Sequence, residues 1–396
     1  MKAVPNQMMM ESASWSAAMS QKAFDNVRPI ARRRPARTHF AGVGCALLVL
    51  FLATAILRAQ SSALDELRGK AERGDAEAQN AMGLAYRNGR DVPADFGEAV
   101  KWFQKSAGQG DASAERNLAW MYAEGKGVPQ DYKQAVLWLS KAADQNFSSA
   151  QNYLGMLYIE GKGVSQNLAE GFRWLRKSAE LNYAEAQDNL GELYVQGRGV
   201  AQNYNEAVKW FRKAADQNYA SAQNNLAGLY LDGKGVPQDF SEALKLVRQA
   251  AQQDYASAQC TLGWMYAEGK GVPSDDAEAV RWYRRAAEQN YASAENNLGI
   301  MFEKGRGVPR DYAAAAAWYR KAAEPGYGGA QNNLAIAFAL GQGVPKDPIE
   351  AYKWFALAAT HGDTNGADIR AGLQKSMTAE QIAEAEKRVH GFVPTN

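Results

Sequence analysis

The chain of 396 residues has few of the side chains that carry metal or nucleophilic chemistry, with three histidines and two cysteines. None of His39, His361 and His390 has the neighbouring Cys or His ligands that a zinc site needs. Cys45 lies in an apolar run, and Cys260 is the one cysteine in the rest of the chain, so no disulfide can link two parts of that region. We therefore expect no metal, no cofactor, and a fold stabilised by packing.

A basic overall charge is also missing from most of the chain. Residues 1–58 carry eight Lys and Arg against two Asp and Glu, a local charge of +6, although the whole chain has a formal net charge of only +2. Residues 59–396 are therefore mildly acidic. Nucleic-acid-binding domains are usually basic, so we expect no nucleic-acid partner.

The chain does contain a 36-residue sequence that recurs eight times without insertion. A period of this size indicates a solenoid, because one unit cannot bury its own hydrophobic face. We use the word column for a set of positions that recur every 36 residues. The column that anchors the copies consists of Met82, Leu118, Leu154, Leu190, Leu226, Leu262, Leu298 and Leu334.

Each copy resolves into two amphipathic helices, helix A and helix B. Ala78, Met82, Ala85 and Tyr86 give the first helix A one apolar stripe with the period of an α-helix. The residue after the anchor is always Gly or Ala, which allows two helices to approach closely. Helix B has a tryptophan column, which we interpret as core. It consists of Trp102, Trp138, Trp174, Trp210, Trp282, Trp318 and Trp354, with Leu246 as the exception.

The ends of the helices are marked as clearly as their faces. A Gly-x-Gly pair such as Gly125 and Gly127 follows helix A and allows the chain to turn back. An Asp or Asn then stands at the expected N-cap of helix B, followed three positions later by Glu or Gln in seven of eight copies. This spacing predicts a capping box. Helix B is followed by Gly, Asn or Asp, which tolerate a left-handed backbone.

The combined pattern, L-G-x-x-Y-x-x-G-x-G-V-x-x-D-x-x-x-A-x-x-W-x-x-x-A-A, resembles the Sel-one-like repeat family, a relative of the tetratricopeptide repeat. The resemblance covers about residues 62–362. It implies an all-α fold, an α-solenoid that forms a right-handed superhelix of eight 36-residue helix-turn-helix repeats. It also implies an adaptor or scaffold in protein complexes, and it does not identify the partner.

We expect helical caps at both ends of the repeats, because the outermost faces lack a neighbour. Residues 63–73 read as a lone helix B that ends at Gly74. Residues 363–396 read as a C-terminal helical cap, in which Thr378 and Gln381 form a capping box and residues 391–396 are frayed.

The N-terminal region has a different composition. Residues 1–39 are basic and expected to be disordered, and residues 40–59 read as the apolar region of a signal peptide or as a membrane anchor, with an uncharged run over residues 40–57. Both interpretations place the repeats outside the cytoplasm, because the arginines favour the inner side. We therefore expect an exported protein that is periplasmic, secreted or anchored at its N-terminus.

The related tetratricopeptide fold lines its concave groove with helix A, and this resemblance suggests where a partner binds. Two helix A columns vary in a way that the fold does not explain. We expect these columns to contact a polypeptide, since amides suit a peptide backbone and large apolar residues dominate interfaces. The alternative is that the asparagines bridge neighbouring helices and the tryptophans pack laterally. The candidate residues are Trp120, Met156, Trp264, Ile300, Asn152, Asn224, Asn296 and Asn332.

The sequence thus favours a non-enzymatic scaffold for protein–protein interaction outside the cytoplasm. A membrane-anchored sensor or regulator of the cell envelope is one alternative, and an enzyme that acts on the cell wall is another. The periodic acidic residues recur at helix caps, which favours a structural role over acid–base catalysis.

Overall fold

The computed structural model describes residues 63–363 and 366–395. Within these ranges the regular structure is entirely helical, which confirms the predicted all-α fold. Each 36-residue repeat forms one helix pair, so the fold is an α-solenoid of eight repeats. The described residues fall into two compact units, an N-terminal unit of residues 63–203 and a C-terminal unit of residues 204–395. We number the helices so that α1 to α15 with odd numbers are helix A, and α2 to α16 with even numbers are helix B.

In the N-terminal unit, residues 63–72 are helical and end at Gly74, which has a φ of 98°. This segment caps the repeats as predicted, since Ala71 packs in one cluster with Met82 and Trp102. Consecutive helices of the unit contact each other. They are α1 (Ala76–Asn88), α2 (Phe96–Ala107), α3 (Ala112–Glu124), α4 (Tyr132–Asp144), α5 (Ser148–Glu160), α6 (Leu168–Glu180) and α7 (Ala184–Gln196).

The C-terminal unit begins with a helix B, α8, and then alternates helix A and helix B. It adds two helices after the last repeat. The added helices both contact α16. The helices are α8 (Tyr204–Asp216), α9 (Ala220–Asp232), α10 (Phe240–Gln252), α11 (Ala256–Glu268), α12 (Asp276–Ala287), α13 (Ala292–Lys304), α14 (Tyr312–Ala323), α15 (Gly328–Leu340), α16 (Pro348–Thr360), α17 (Ala367–Ser376) and α18 (Ala379–His390).

The glycine pair between helix A and helix B turns the chain as predicted. Gly125 ends α3 with a φ of 63°, and Gly127 has a φ of 72°. A Cβ at Gly127 would also collide with the carbonyl of Phe96 in the preceding repeat. Glycine is therefore needed here both for backbone conformation and for close packing.

The predicted capping boxes are only half formed at the helix B N-termini. Asp95 accepts a hydrogen bond from the backbone N–H of Glu98, as an N-cap should. The Glu98 carboxylate, however, bonds to Lys101 at 2.6 Å instead of returning to the backbone of Asp95. A basic residue three positions later competes for the glutamate in most repeats. The complete box forms at Thr378 and Gln381, as predicted.

The tight contact between helix A and helix B uses the small residue after the anchor. A Cβ added at Gly83 would lie 2.5 Å from the ring of Phe103, and one added at Gly299 would lie 2.5 Å from the ring of Tyr319. The helix B residue that needs this space follows the tryptophan position and is almost fully buried throughout. This helix B core column is Phe103, Leu139, Leu175, Phe211, Val247, Tyr283, Tyr319 and Phe355.

The tryptophan column is less buried than we predicted. Trp102, Trp174 and Trp354 are buried, whereas Trp138, Trp210, Trp282 and Trp318 keep part of their surface exposed. The prediction that the column is core is therefore wrong for these four residues. The ring lies at the edge of the packed face, and a cation three residues later covers it in several repeats. Lys141 lies 4.0 Å from the ring centroid of Trp138, and Lys213 lies 4.1 Å from that of Trp210.

A column of buried glutamines, with glutamate in two repeats, was missed by sequence reasoning. Its glutamines join helix A to the helix B before it. Gln79 donates from Nε2 to the carbonyl of Ala71 at 3.0 Å, and Gln151 makes the same bond to Ala143. A residue just after the helix B of the same repeat also donates to this side chain, as Gln109, two positions after α2, does to Oε1 of Gln79 at 2.8 Å. We call this the glutamine column; its members are Gln79, Glu115, Gln151, Gln187, Gln223, Gln259, Glu295 and Gln331.

The C-terminal end is more ordered than predicted. Phe392 packs edge to face on Trp354, with ring centroids 5.5 Å apart, and the N–H of Thr395 donates to the carbonyl of Glu324 at 3.1 Å. The prediction that residues 391–396 fray is therefore wrong for residues 392–395. Aromatic packing on the last helix B fixes this tail.

The predicted signal or anchor lies outside the described residues. Within the part of the chain that the structure describes, no helix combines the length and the apolar character needed to cross a membrane.

Candidate partner-binding surface

The candidate surface is the exposed side of the helix A segments, which we call the helix A face. This face carries three columns. The serine column is Ser113, Ser149, Ser221, Ser257 and Ser293, and the asparagine column is Asn80, Arg116, Asn152, Asp188, Asn224, Cys260, Asn296 and Asn332. The variable column is Leu84, Trp120, Met156, Glu192, Gly228, Trp264, Ile300 and Ile336. All of these positions lie within the described residues, and each unit carries its own part of the face.

The asparagine column forms a ladder between consecutive helix A segments. Asn152 donates to Oε1 of Glu185 at 3.2 Å and accepts from Asn189 at 2.9 Å. In the C-terminal unit, Asn224 donates to Ser257, and Asn296 accepts from Asn333 at 2.8 Å. The predicted binding residues Asn152, Asn224, Asn296 and Asn332 are 3–8% exposed.

This arrangement matches the alternative that the asparagines bridge neighbouring helices. Their amides already hold partners within the repeats, so they set the spacing of the helix A segments. Asn332 differs, because no ninth repeat follows it and its Oδ1 is buried without a hydrogen-bond partner.

Tyrosines at the start of helix A join the serine column, and sequence reasoning missed them. The hydroxyl of Tyr255 lies 3.3 Å from Oγ of Ser221, and that of Tyr291 lies 3.3 Å from Oγ of Ser257. Burial raises the pKa of Tyr291 well above its ordinary value. Tyr291 therefore remains a neutral hydrogen-bonding group at any physiological pH.

The variable column divides into buried and exposed members. Met156 is 4% exposed and packs with Ile159, Leu175 and Leu193, so it offers almost no surface. The prediction of Met156 as an exposed anchor is therefore not met by its position. Trp120, Trp264 and Ile300 keep part of their side chains exposed, as the prediction for them requires.

Charges concentrate on the helix A face of the N-terminal unit. The Arg87 guanidinium lies 5.3 Å from the ring of Trp120. Desolvation by burial lowers the pKa of Arg116 to about 10, and the nearby Arg87 charge acts in the same direction. On α7, Glu185 accepts a 2.9 Å hydrogen bond from the hydroxyl of Tyr183. Trp120 thus lies in a basic setting, and α7 is acidic.

Residues suited to catalysis do not gather on this face. Within the described residues, no group of three or more His, Cys, Asp and Glu is placed to hold a metal ion. Cys260 is buried, and desolvation raises the pKa of its thiol to about 12, so it is not a reactive thiolate. The arrangement provides contact surface and hydrogen-bonding groups.

Comparison with known proteins gives one family and several related structures. The family model described as Sel1 repeat matches residues 76–111, 112–147, 148–183, 184–219, 220–255, 256–291, 292–327 and 329–363. A Sel1 repeat protein from Oxalobacter formigenes is 29% identical with a TM-score of 0.57, over 62% of this chain and 96% of that one.

Two further structures are similar at lower TM-scores. A protective antigen with an SLR fold from uropathogenic Escherichia coli is 29% identical, with a TM-score of 0.41 over 83% of this chain and 94% of that one. An immunity protein from Pseudomonas aeruginosa is 21% identical, with a TM-score of 0.39 over 55% of this chain and 82% of that one. No protein with a curated description matches the chain.

Proposed function

The chain belongs to the Sel1 repeat family, and from this premise we propose that it is a non-enzymatic scaffold that binds a polypeptide partner through its helix A face outside the cytoplasm. Repeats of this family and of the related tetratricopeptide fold commonly mediate protein–protein interaction, and Sel1 repeat scaffolds are generally non-catalytic. The proposal adds the face, the chemistry of the partner and the compartment.

One observation carries the choice of face: a variable, partly exposed column lies on a framework that is otherwise constant. The column that contains Trp120, Trp264 and Ile300 changes from repeat to repeat, whereas the anchor and helix B core columns stay apolar. Exposed tryptophans are the residues that most often dominate binding energy. In this proposal Met156, Asn152, Asn224 and Asn296 hold helix A in place, and the partner contacts the partly exposed residues of the variable column.

The test uses a partner captured from the native envelope fraction and its binding isotherm. Truncating each anchor, in Trp120→Ala and in Trp264→Ala, should cost at least about 2 kcal/mol of binding free energy. The fold should survive, because each helix A keeps its anchor leucine and small residue. The matched control is the double variant Trp138→Ala/Trp282→Ala, which removes two half-buried tryptophans from helix B. If the control weakens binding and the helix A variants do not, the partner binds the helix B side.

The compartment is proposed from the sequence of the N-terminal region. Residues 1–39 are basic and an uncharged run covers residues 40–57, the order found in export signals and signal anchors. An alkaline phosphatase reporter fused after Gly74 should be active only if this region is exported. A stable but inactive fusion would contradict export. Mass spectrometry of the mature N-terminus would separate a cleaved signal from an anchor, and so a free scaffold from a membrane-anchored sensor.

A further inference from the structure

A second surface, on helix B of the C-terminal unit, carries an arginine column that the proposed function does not use. The four arginines are exposed and lie 36 residues apart, one on each of α8, α10, α12 and α14. We call them the arginine column: Arg212, Arg248, Arg284 and Arg320.

Aromatic side chains of the following helix A hold these guanidiniums. Arg212 donates from Nη2 to the hydroxyl of Tyr230 at 2.6 Å, and Arg248 donates to that of Tyr266 at 3.0 Å. The guanidinium carbons of Arg284 and Arg320 lie 6.0 and 5.6 Å from the ring centroids of the equivalent phenylalanines. Stacking and hydrogen bonding fix the plane of a guanidinium and leave its other N–H groups available for an anion.

These charges have no carboxylate partner. None of the ion pairs within residues 204–363 and 366–395 includes any of the four guanidiniums. On three of these helices, α8, α10 and α12, a basic residue three positions earlier is paired. The ion pairs join Lys209 to Glu206 at 2.6 Å, Lys245 to Glu242 at 3.4 Å and Arg281 to Glu278 at 2.7 Å.

We propose that the arginine column binds an acidic polypeptide segment of a partner protein, which lies across helix B of the C-terminal unit. Arginine presents a planar fork of donors that matches a carboxylate and forms two parallel hydrogen bonds with it. Four such groups, already oriented and not neutralised, complement a segment that carries several carboxylates. This surface is separate from the helix A face and does not depend on it.

The flanking charges favour a narrow polypeptide over an anionic membrane. On one side the column is bordered by the glutamates of the ion pairs, and on the other by Asp216, Glu288 and Glu324 four residues after the arginines. A flat anionic surface would also meet the second set of carboxylates, which form no ion pair with the described residues, and be repelled. A single extended chain can contact the arginines and avoid both borders. In the region of these four helices no large hydrophobic side chain is exposed for insertion into a bilayer.

The test measures binding of a fluorescein-labelled octaglutamate peptide to the full-length chain by anisotropy at low salt. The double variant Arg248→Gln/Arg284→Gln should weaken binding by about tenfold or more, because it removes two unpaired guanidiniums. The matched control, Lys245→Gln/Arg281→Gln, removes the same charge from the same two helices at paired positions. It should change the dissociation constant by less than about twofold.

Three results would overturn the proposal. Equal losses in the two double variants would mean that only net charge attracts the peptide. Failure of the wild-type chain to bind octaglutamate would mean that the arginine column is not a binding site for an acidic polypeptide. Failure to bind octaglutamate combined with arginine-dependent binding to phosphatidylglycerol vesicles would assign the column to a membrane. Trp264→Ala should leave octaglutamate binding unchanged, so that this test and the test of the helix A face fail or succeed separately.

Discussion

The helix A faces of the two units carry different side chains at equivalent positions. The N-terminal unit has Arg116 and Asp188 where the C-terminal unit has Asn224 and Asn296. α7 adds Glu192 in the variable column, where the other unit has uncharged residues. The first face can therefore discriminate partners by charge, and the second by shape and hydrogen bonding.

On the helix B faces, by contrast, the C-terminal unit carries more unpaired positive charge than the N-terminal unit. The arginine column of the C-terminal unit continues in the N-terminal unit as Gln104, Ser140 and Arg176, and Arg176 is paired with Glu180 at 2.8 Å. Both units keep the same small residues, helix B core column and glutamine column. Because a shared framework maintains the fold, the remaining columns are free to differ. Changes to the framework should therefore affect stability equally in both units, and changes to the faces should affect binding.

The largest expected effect tests whether the two units share one framework. Phe103→Ala in the N-terminal unit and Phe211→Ala in the C-terminal unit each remove an almost fully buried ring of the helix B core column. Each should cost about 3–5 kcal/mol of unfolding free energy. The half-buried tryptophan next to the second ring, in Trp210→Ala, should cost clearly less. Urea denaturation followed by far-ultraviolet circular dichroism measures all three.

Two results of this experiment would contradict the expectation. A loss for Trp210→Ala as large as that for Phe211→Ala would restore the tryptophan column as the core. Very different losses for the two phenylalanines would mean that the units do not share a framework.

The sequence alone was sufficient for the repeat, the helix pairs and their ends. These features depend on residues close together in the chain, and each signal recurs in seven or all eight copies, so chance agreement is excluded. The left-handed backbone after helix B, at Asn146, Asn182 and Asn290 among others, follows directly from residue type. The need for a small residue after the anchor was also predicted from its invariance within the chain.

Roles that depend on the neighbouring repeat could not be predicted in the same way. An asparagine on helix A suits a peptide groove and a ladder equally well, and the sequence does not show that Asn189 lies beside Asn152. The tryptophan column was misjudged because period and hydrophobicity do not give the angle at which helix B packs. The arginine column was missed because overall charge hides a local, unpaired set of cations.

A smaller expected effect concerns one place where the units differ in the framework. In the C-terminal unit, Gln253 donates to Oε1 of Gln223 at 2.9 Å. In the N-terminal unit, the equivalent donor position is Leu181, which is 49% exposed, and Oε1 of Gln151 is buried without a hydrogen-bond partner. Leu181→Gln should restore the bond and stabilise the protein by about 1 kcal/mol.

The matched control for this change is Leu137→Gln. Leu137 is also 49% exposed and lies on helix B of the same unit, so the polarity of the surface changes equally. Thermal unfolding should show a higher midpoint for Leu181→Gln than for Leu137→Gln. Equal midpoints would mean that the buried oxygen of Gln151 carries no free-energy cost.

The smallest expected effect compares the two glutamates in the glutamine column. Glu115, in the N-terminal unit, accepts from Gln145 at 2.9 Å, and desolvation by burial raises its pKa above the ordinary value of 4.5. Glu295, in the C-terminal unit, is buried beside Lys321, with 2.8 Å between Oε1 and Nζ. Lys141 thus acts on Glu115 electrostatically without forming an ion pair, whereas the equivalent Lys321 pairs with Glu295.

Replacing each glutamate with glutamine should have opposite consequences. Folding raises the pKa of Glu115, so at any pH above the ordinary pKa the buried carboxylate lowers the free energy of unfolding. This loss disappears at low pH, where the carboxyl group is protonated in both the folded and the unfolded protein. Glu115→Gln should therefore stabilise the protein at about pH 7, by less than about 1 kcal/mol, and have little effect at about pH 3.5. The new amide can also donate to the carbonyl of Ala107, as Gln79 does to that of Ala71.

Glu295→Gln removes an ion pair and should not stabilise the protein at about pH 7. The measurement is the unfolding midpoint of each variant at the two pH values. If Glu295→Gln stabilises the protein as much as Glu115→Gln does, then Lys321 does not compensate the buried charge of Glu295.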